Sequence, residues 1–527
     1  MSPTPPSQPA EAAKRANGGN RRLWRNTGFS LLQQGVSIAL AVALVPYMLW
    51  RLGTEQYGLW LILQIFNILG LVYLAELGFQ GAIVRHLVRH HAAGERKEFR
   101  HLVASGLLLF LAIGLVVGSL VLLFAQTAFT RVFAIAPEHA EEMRLALSVY
   151  AASLVIGFPA LIIKSFFTGM QNLALQKIWE TLDRLIFTIG VVALLFFTDR
   201  LLFIVLLEQA VALTLLGGFA LLARRRYGAW FTISPREARR SSLRGVLGLS
   251  GAVFSTNLTN QVFTKGPEAM IGAILGPVLL AHYQIATRLP RVLKTVAGAL
   301  NAAVLPHMSA LDTGDADKAE AARRFTLAGL RANYLIFVPA AVAMMAFATP
   351  ILVLWVGGAY AFLAPFLAAY AAWQITTVAV NFSTATLTRT EHYRNLIRRN
   401  VIAAIVFLAV LFFLIERGGL PLVFAALLAS GLLNATAALD ACRRAHRLRL
   451  GDMARHVLVG PILGSAALGL ALLMPASLIL QVYGFVPGVA AMFCAGLAYL
   501  FGWYWLILHV DERGWLKTGL AKMRRKQ

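Results

Sequence analysis

Cysteine and charge are scarce in this sequence, and acids are scarcer than bases. Two cysteines in 527 residues, Cys442 and Cys494, exclude a disulfide framework and a cysteine-based metal centre. One is expected in a cytoplasmic loop and the other in a membrane helix, so they have no reason to meet. Charged residues make up only 14% of the chain, well below the share in a soluble globular domain. Asp and Glu number 24 against 48 Lys and Arg. No Gly-x-x-x-x-Gly-Lys-Ser/Thr loop occurs, so no P-loop is available to bind and spend ATP. No nucleophile, base and orienting group fall together, and the expectation is that the chain is not an enzyme.

Apolar length is what the sequence has in abundance. Hydrophobic residues reach 58% and the mean hydropathy is +0.69, a composition that belongs in lipid. The apolar runs do not alternate, and backbone groups in hydrocarbon must be paired within their own segment, so helices are expected rather than barrel strands. Runs long enough to cross about 30 Å of hydrocarbon fall at 27–49, 58–80, 102–125, 146–163, 178–197, 201–223 and 246–264. A second set follows at 270–306, 327–349, 362–388, 400–415, 420–440, 456–476 and 483–510. The expected fold is an all-α polytopic membrane protein of about fourteen transmembrane helices. The run at 270–306 is overlong, and must be tilted, broken or extended past the membrane.

Lys and Arg alternate between sides of this map as the positive-inside rule requires. Lys14, Arg15, Arg21, Arg22 and Arg25 precede the first run; Arg85 to Arg100, Arg224 to Arg244, Arg389 to Arg399 and Arg443 to Arg455 follow, and Arg513 to Lys526 ends the chain. The opposite side carries Arg51, Arg131, Arg144, Arg200, Lys265 and Arg417. Both termini are therefore expected in the cytoplasm, with a disordered tail at 1–21, a basic linker at 224–245 and a basic tail at 511–527. Most of the +24 net charge reads as topology facing an anionic leaflet. Nucleic acid has no domain to bind. His86, His90 and His91 stand beside Arg85 and Arg89, a cationic setting that repels a metal ion.

Two segments repeat one order of signals. The first runs Gln33-Gln34, Leu52-Gly53, Tyr57-Gly58, then Gly94-Glu95; the second runs Asn260-Gln261, Leu275-Gly276, Tyr283, then Leu305-Pro306 and Asp312 to Asp315. Internal repeats of this kind build many secondary transporters. The stretch Arg51-Leu-Gly-Thr-Glu-Gln-Tyr-Gly-Leu-Trp60, then Leu74-Ala-Glu-Leu-Gly78 and Ala82-Ile-Val-Arg85, resembles the Wzx-like polysaccharide flippases of the MOP superfamily. Glu76 stands where that family's pattern has Asp. Phe167-Thr-Gly-Met-Gln171 is similar to the family's short link between helices four and five. Glu268 through Arg288-Leu289 and Leu305-Pro306 resembles its C-terminal signature.

The resemblance implies two pseudo-symmetric six-helix lobes, at 22–223 and 246–440, around a central cavity that opens alternately to each side. Two extra helices would lie at 441–510. It also implies the cargo, an oligosaccharide on polyprenyl diphosphate carried from the cytoplasmic to the outer leaflet of the bacterial inner membrane. Membrane lipids and polysaccharide polymerase or export machinery would be its partners. A lipid II flippase and a multidrug cation exporter of the same superfamily are the alternatives, with a glycan polymerase or ligase further off because no large external loop is present.

A charge near the bilayer centre costs roughly 2.5 to 3.5 kcal/mol on insertion scales, so those present call for a function. Arg288, Arg291 and Lys294 are spaced by three and form one cationic stripe on a helix. The stripe fits a diphosphate in a cavity, or, if Pro290 breaks the helix, an interfacial segment on anionic lipid. Gln33, Gln34, Asn257, Asn260 and Gln261 occupy corresponding repeat positions; they offer hydrogen bonds to sugar hydroxyls or simply join helices. Glu76 and Glu208 are candidate protonatable sites for coupling to a proton or sodium gradient. Lys265 and Glu268, at the external end of the seventh run, are a candidate gate or a local pair. Asp183-Arg184 reads as an ion pair at the cytoplasmic start of a helix. No cofactor is expected.

Overall fold

The computed structural model describes residues 8–67, 79–239, 241–243, 262–301, 316–387, 392–483 and 485–508. Among them the secondary structure is helical throughout, and the chain is an all-α, multi-pass membrane protein. It divides into two compact units, Met1–Gln261 and Val262–Gln527. Among the described residues, nine helical segments are long and apolar enough to cross a membrane.

In the first unit the helices are α1 (Gln8–Phe66), α2 (Phe79–Ala92), α3 (Arg96–Thr127), α4 (Pro137–Gly169), α5 (Leu173–Leu194) and α6 (Leu201–Tyr227). A straight helix of the 59 residues in α1 would be about 90 Å long at 1.5 Å per residue, about three times the hydrocarbon thickness. Gly53 divides it: its φ of 75° and ψ of 174° are open to glycine and closed to most side chains. The segment expected to be disordered, 1–21, is helical from Gln8 onward. The physical reason is composition: the early prolines stop at Pro9, and Ala10 to Ala16 is a run of strong helix formers.

Capping and close approach fix this unit. Arg51, in the stretch that carries the family resemblance, donates from both Nε (2.8 Å) and Nη2 to the carbonyl of Leu195, where the last carbonyls of α5 lack partners and favour a cation. Glu142 accepts from the backbone N–H of Leu202 at 3.0 Å and so caps the start of α6. Helices α3 and α4 touch through Gly114 and Gly118. A Cβ at either would fall 2.8 Å from the Leu154 carbonyl oxygen or 2.7 Å from that of Ala151. The link Met170 to Asn172 between α4 and α5 is as short as expected and has Gln171 at φ 55°.

After α6 the chain folds back on the unit. Arg100 pairs with Glu237 and His101 Nδ1 lies 2.7 Å from the Glu237 carbonyl. Trp230 packs edge-on against His91 and Phe99. Burial there holds the His91 pKa below its ordinary value, so the ring packs neutral.

The second unit contains α7 (262–270, continued by a wider turn over Ile271–Leu275), α8 (Pro277–Asn301), α9 (Ala316–Ala346), α10 (Ala348–Val356) and α11 (Ala364–Leu387). Then come α12 (His392–Ala445, divided at Gly419), α13 (Ser465–Tyr483) and α14 (Phe485–Gly502). The overlong run at 270–306 is broken, and the break is at Gly276, with φ 85° and ψ 179° followed by Pro277 at the start of α8. Gly53 and Gly276 therefore make the same turn, and the Leu-Gly pairs of the two repeats mark equivalent points. Gln34 and Asn257 stand equally far before their glycines.

Two boundary expectations change as a result. Lys265 and Glu268, expected at the external end of the seventh run as a gate or a local pair, do pair with each other, but the helix runs through both and on to Leu275. A charged pair lowers mean hydropathy without ending a helix, because the pair satisfies itself. Cys442 is not in a loop but buried in the last turns of α12.

Candidate functional site

Polar groups inside each unit gather around a carboxylate. In the first unit it is Glu208 on α6. Tyr150 on α4 donates to it at 2.5 Å, Gln64 on α1 at 3.0 Å, and Asn67, just past α1, at 2.6 Å. Three donors from two further helices and a helix end satisfy a group that hydrocarbon would otherwise expel. Beside it a cavity of about 110 Å³ is lined by Asn67, Lys164, Trp179, Asp183, Arg184 and Glu208.

Lys164 lies over the Trp179 ring at 5.1 Å, and Trp179 stacks on Phe219 at 4.8 Å. The expectation for Asp183-Arg184 is corrected here: both are well inside α5, which begins at Leu173, and they face this cavity rather than a cytoplasmic helix start. Lys164 is missed by the sequence reading. Its only signal was a lysine near the end of an apolar run, indistinguishable from one that reaches out to the interface.

In the second unit the carboxylate is Glu268 on α7, 2% exposed. Its Oε2 accepts from Lys265 Nζ at 2.8 Å, one turn back on the same helix. Its Oε1 is 2.8 Å from Arg291 Nη1 on α8. The Arg291 guanidinium carbon stands 6.0 Å from the Tyr283 ring centre and 5.8 Å from that of Tyr370 on α11, within cation–π range. Pro290 does not end α8, which continues helical to Asn301.

The Nε and Nη2 atoms of Arg291 are buried without a hydrogen-bond partner among the described residues, as are Tyr283 Oη and Thr287 Oγ1. A guanidinium has five donor hydrogens in a planar fork, and this one is only partly used. Arg288 is half-buried one turn before it, and Lys294 follows on the same helix. Four cations, Lys265, Arg288, Arg291 and Lys294, thus stand on two consecutive helices with one buried carboxylate.

The structure brings Arg291, Glu268 and Lys265 together, and keeps Glu208 with Gln64 and Asn67, neither of which stood out in the sequence. Gln33 and Gln34 are half-buried on α1, and Gln33 Nε2 donates to Ser37 Oγ at 3.1 Å. Glu76, Asn257, Asn260 and Gln261 lie outside the described residues.

The chain, multi-pass and helical with glycine-divided helices, has the fold of MOP-superfamily transporters. The lipid II flippase MurJ, in an inward closed conformation, matches it at a TM-score of 0.67 with 12% identity, over 90% of this chain and 98% of the other. An inward-facing multidrug resistance MATE family transporter matches at 0.62 with 13% identity, over 77% and 94%. A MOP superfamily transporter from Pyrococcus furiosus, noted for a binding pocket of reverse polarity, matches at 0.58 with 13% identity, over 79% and 94%. None of the curated proteins compared matches the sequence. Residues 23–312 match the family described as polysaccharide biosynthesis protein, and the chain belongs to that family.

Proposed function

We propose that this protein flips a polyprenyl-diphosphate-linked oligosaccharide from the cytoplasmic to the outer leaflet of a bacterial inner membrane, for cell-surface polysaccharide biosynthesis. The observation that carries the reading is Arg291: a buried guanidinium with open donors, between Arg288 and Lys294 on one helix, in a polysaccharide biosynthesis family. A diphosphate is the part of such a cargo that needs cations out of water, and arginine forks match its oxygens in pairs. Polar side chains such as Gln33 and Gln34 suit sugar hydroxyls, while the prenyl tail stays in lipid.

Movement follows alternating access, with both termini cytoplasmic. Glu208, and Glu76 with it, are the proposed sites of coupling to a proton or sodium gradient. Polysaccharide polymerase and export machinery would take the flipped product. Lipid II presents the same diphosphate and is the second reading. A multidrug cation exporter is disfavoured because Glu268 is already paired with Lys265 and Arg291.

The test is glycolipid sidedness in membrane vesicles from cells with and without the protein. Deletion should leave complete prenyl-diphosphate glycan in the cytoplasmic leaflet. Replacing Arg288, Arg291 and Lys294 together with Gln should reproduce the deletion while the protein is still made and inserted. Normal sidedness in both strains rejects the flippase, and unpolymerised units outside would assign a polymerase instead.

A further inference from the structure

The partner that Arg291 holds now is chemically similar to the one it is proposed to hold in transport. A carboxylate and a phosphate both offer a guanidinium two coplanar anionic oxygens. Glu268 presents one of its oxygens to Arg291 and the other to Lys265, each at 2.8 Å. We infer that Glu268 is an exchangeable counter-ion: it occupies the cargo's place on Arg291, is displaced by the diphosphate, and is retained meanwhile by Lys265. The inference rests on the reading of Arg291 as a phosphate-binding residue and adds to it a regulation of that site.

Three features favour exchange over a purely structural pair. The first is incomplete pairing. A structural arginine–carboxylate pair in low dielectric is best bidentate, with the remaining donors satisfied; here Nη1 alone meets Glu268, and buried Nε and Nη2 make no geometrically formed hydrogen bond among the described residues, the tyrosines meeting the guanidinium through their rings.

The second feature is the second cation. A buried carboxylate that loses its only partner is strongly disfavoured, but Glu268 keeps the Lys265 ammonium one turn away on its own helix, 37% exposed and so able to stay solvated. The third is that Tyr283 and Tyr370 flank the guanidinium at 6.0 and 5.8 Å, and their rings hold a cation in place whichever anion it faces. Glu268 leaves, and Arg291 stays positioned.

The consequence is selective and moderate binding. An unpaired buried arginine would bind any anion and release it slowly; one that must exchange a carboxylate binds well only what offers more negative charge. A diphosphate does, and a neutral sugar or a monocarboxylate does not. Return of Glu268 then assists release, so the site does not trap its cargo.

The experiment measures binding of geranylgeranyl diphosphate to the full chain in nanodiscs of zwitterionic lipid, with geranylgeraniol as the uncharged control. Glu268→Gln removes the competing charge and should tighten diphosphate binding about tenfold, within the usual span for coupled equilibria, with the alcohol unaffected. Arg291→Gln should lose diphosphate binding by itself and abolish the gain in the double variant. Lys265→Met leaves Glu268 to Arg291 alone and should weaken binding, which keeps the test open if Glu268→Gln does not fold. If Arg291→Gln loses binding but Glu268→Gln and Lys265→Met change nothing, exchange is wrong and the diphosphate site stands. If Arg291→Gln binds as the wild type does, the diphosphate site itself is wrong.

Discussion

Glu208 receives hydrogen bonds from Tyr150, Gln64 and Asn67, so the effect of replacing it depends on what is left facing those donors. Glu208→Ala leaves the buried Tyr150 hydroxyl without its acceptor, at roughly 1 to 3 kcal/mol, while Gln64 still donates to Tyr150 and Asn67 to Gln64, and should lower the thermal stability of the purified protein. Glu208→Gln keeps an oxygen and the shape, since the amide partners can reorient, and should fold with a much smaller loss. If Glu208 couples transport to an ion gradient, this second variant should also flip cargo at a rate that no longer responds to a collapsed gradient in proteoliposomes. A Gln variant as unstable as the Ala variant would show that the charge itself holds the helices. One that still follows the gradient would remove Glu208 from coupling.

The same residues show what a sequence hides. Glu208 could be singled out because a lone acid in an apolar run is conspicuous. Gln64 and Asn67 could not, because polar amides near helix ends are common and their partners lie more than 140 positions away. Arg291 was visible through its spacing with Arg288 and Lys294; its tie to Glu268 was not, since that tie depends on how α7 and α8 turn at Gly276.

At the scale of the helix, packing in lipid is governed by how close backbones come. Hydrocarbon gives no hydrophobic drive between apolar helices, so close contact must come from small residues. Gly114 and Gly118 lie one turn apart on the face of α3 that meets α4, and a Cβ at either would strike a backbone carbonyl oxygen rather than a flexible side chain. Gly118→Leu should therefore part the two helices and sharply reduce thermal stability and the yield of folded protein. Leu120→Ala, at an exposed position on the same helix, should leave both nearly unchanged. Equal effects of the two substitutions would mean that composition matters here and contact does not.

Helix positions were largely legible because an apolar run of about twenty residues is the length a helix needs to cross hydrocarbon and far exceeds a strand. Glycine marks breaks wherever φ must be positive, as at Gly53 and Gly276. Ends were less legible. Lys265 and Glu268 looked like the end of a run because hydropathy weighs each charge separately, whereas the folded helix carries them as a pair. The same averaging placed the start of α5 after Lys177, though the helix begins at Leu173 and its Lys177 and Glu180 pair at 2.7 Å.

For the whole molecule the basic residues make a claim about sides. Positive charge is retained in the cytoplasm because translocating it is disfavoured, so the turn between α2 and α3 should face inward and the start of α4 outward. Lys97 and Glu138 are both exposed, and the 32-residue α3 lies between them. In a background with Cys442 and Cys494 replaced, a membrane-impermeant maleimide should label Glu138→Cys on intact cells and Lys97→Cys only in inverted vesicles. Crossing α3 once reverses the side, so the pair reports orientation directly, and counting back along α1 and its break at Gly53 extends the result to the amino terminus. Cytoplasmic Lys97 would orient the chain as the proposed direction of flipping requires. The reverse labelling would set the chain the other way up, and the proposed direction of flipping would have to be reversed with it.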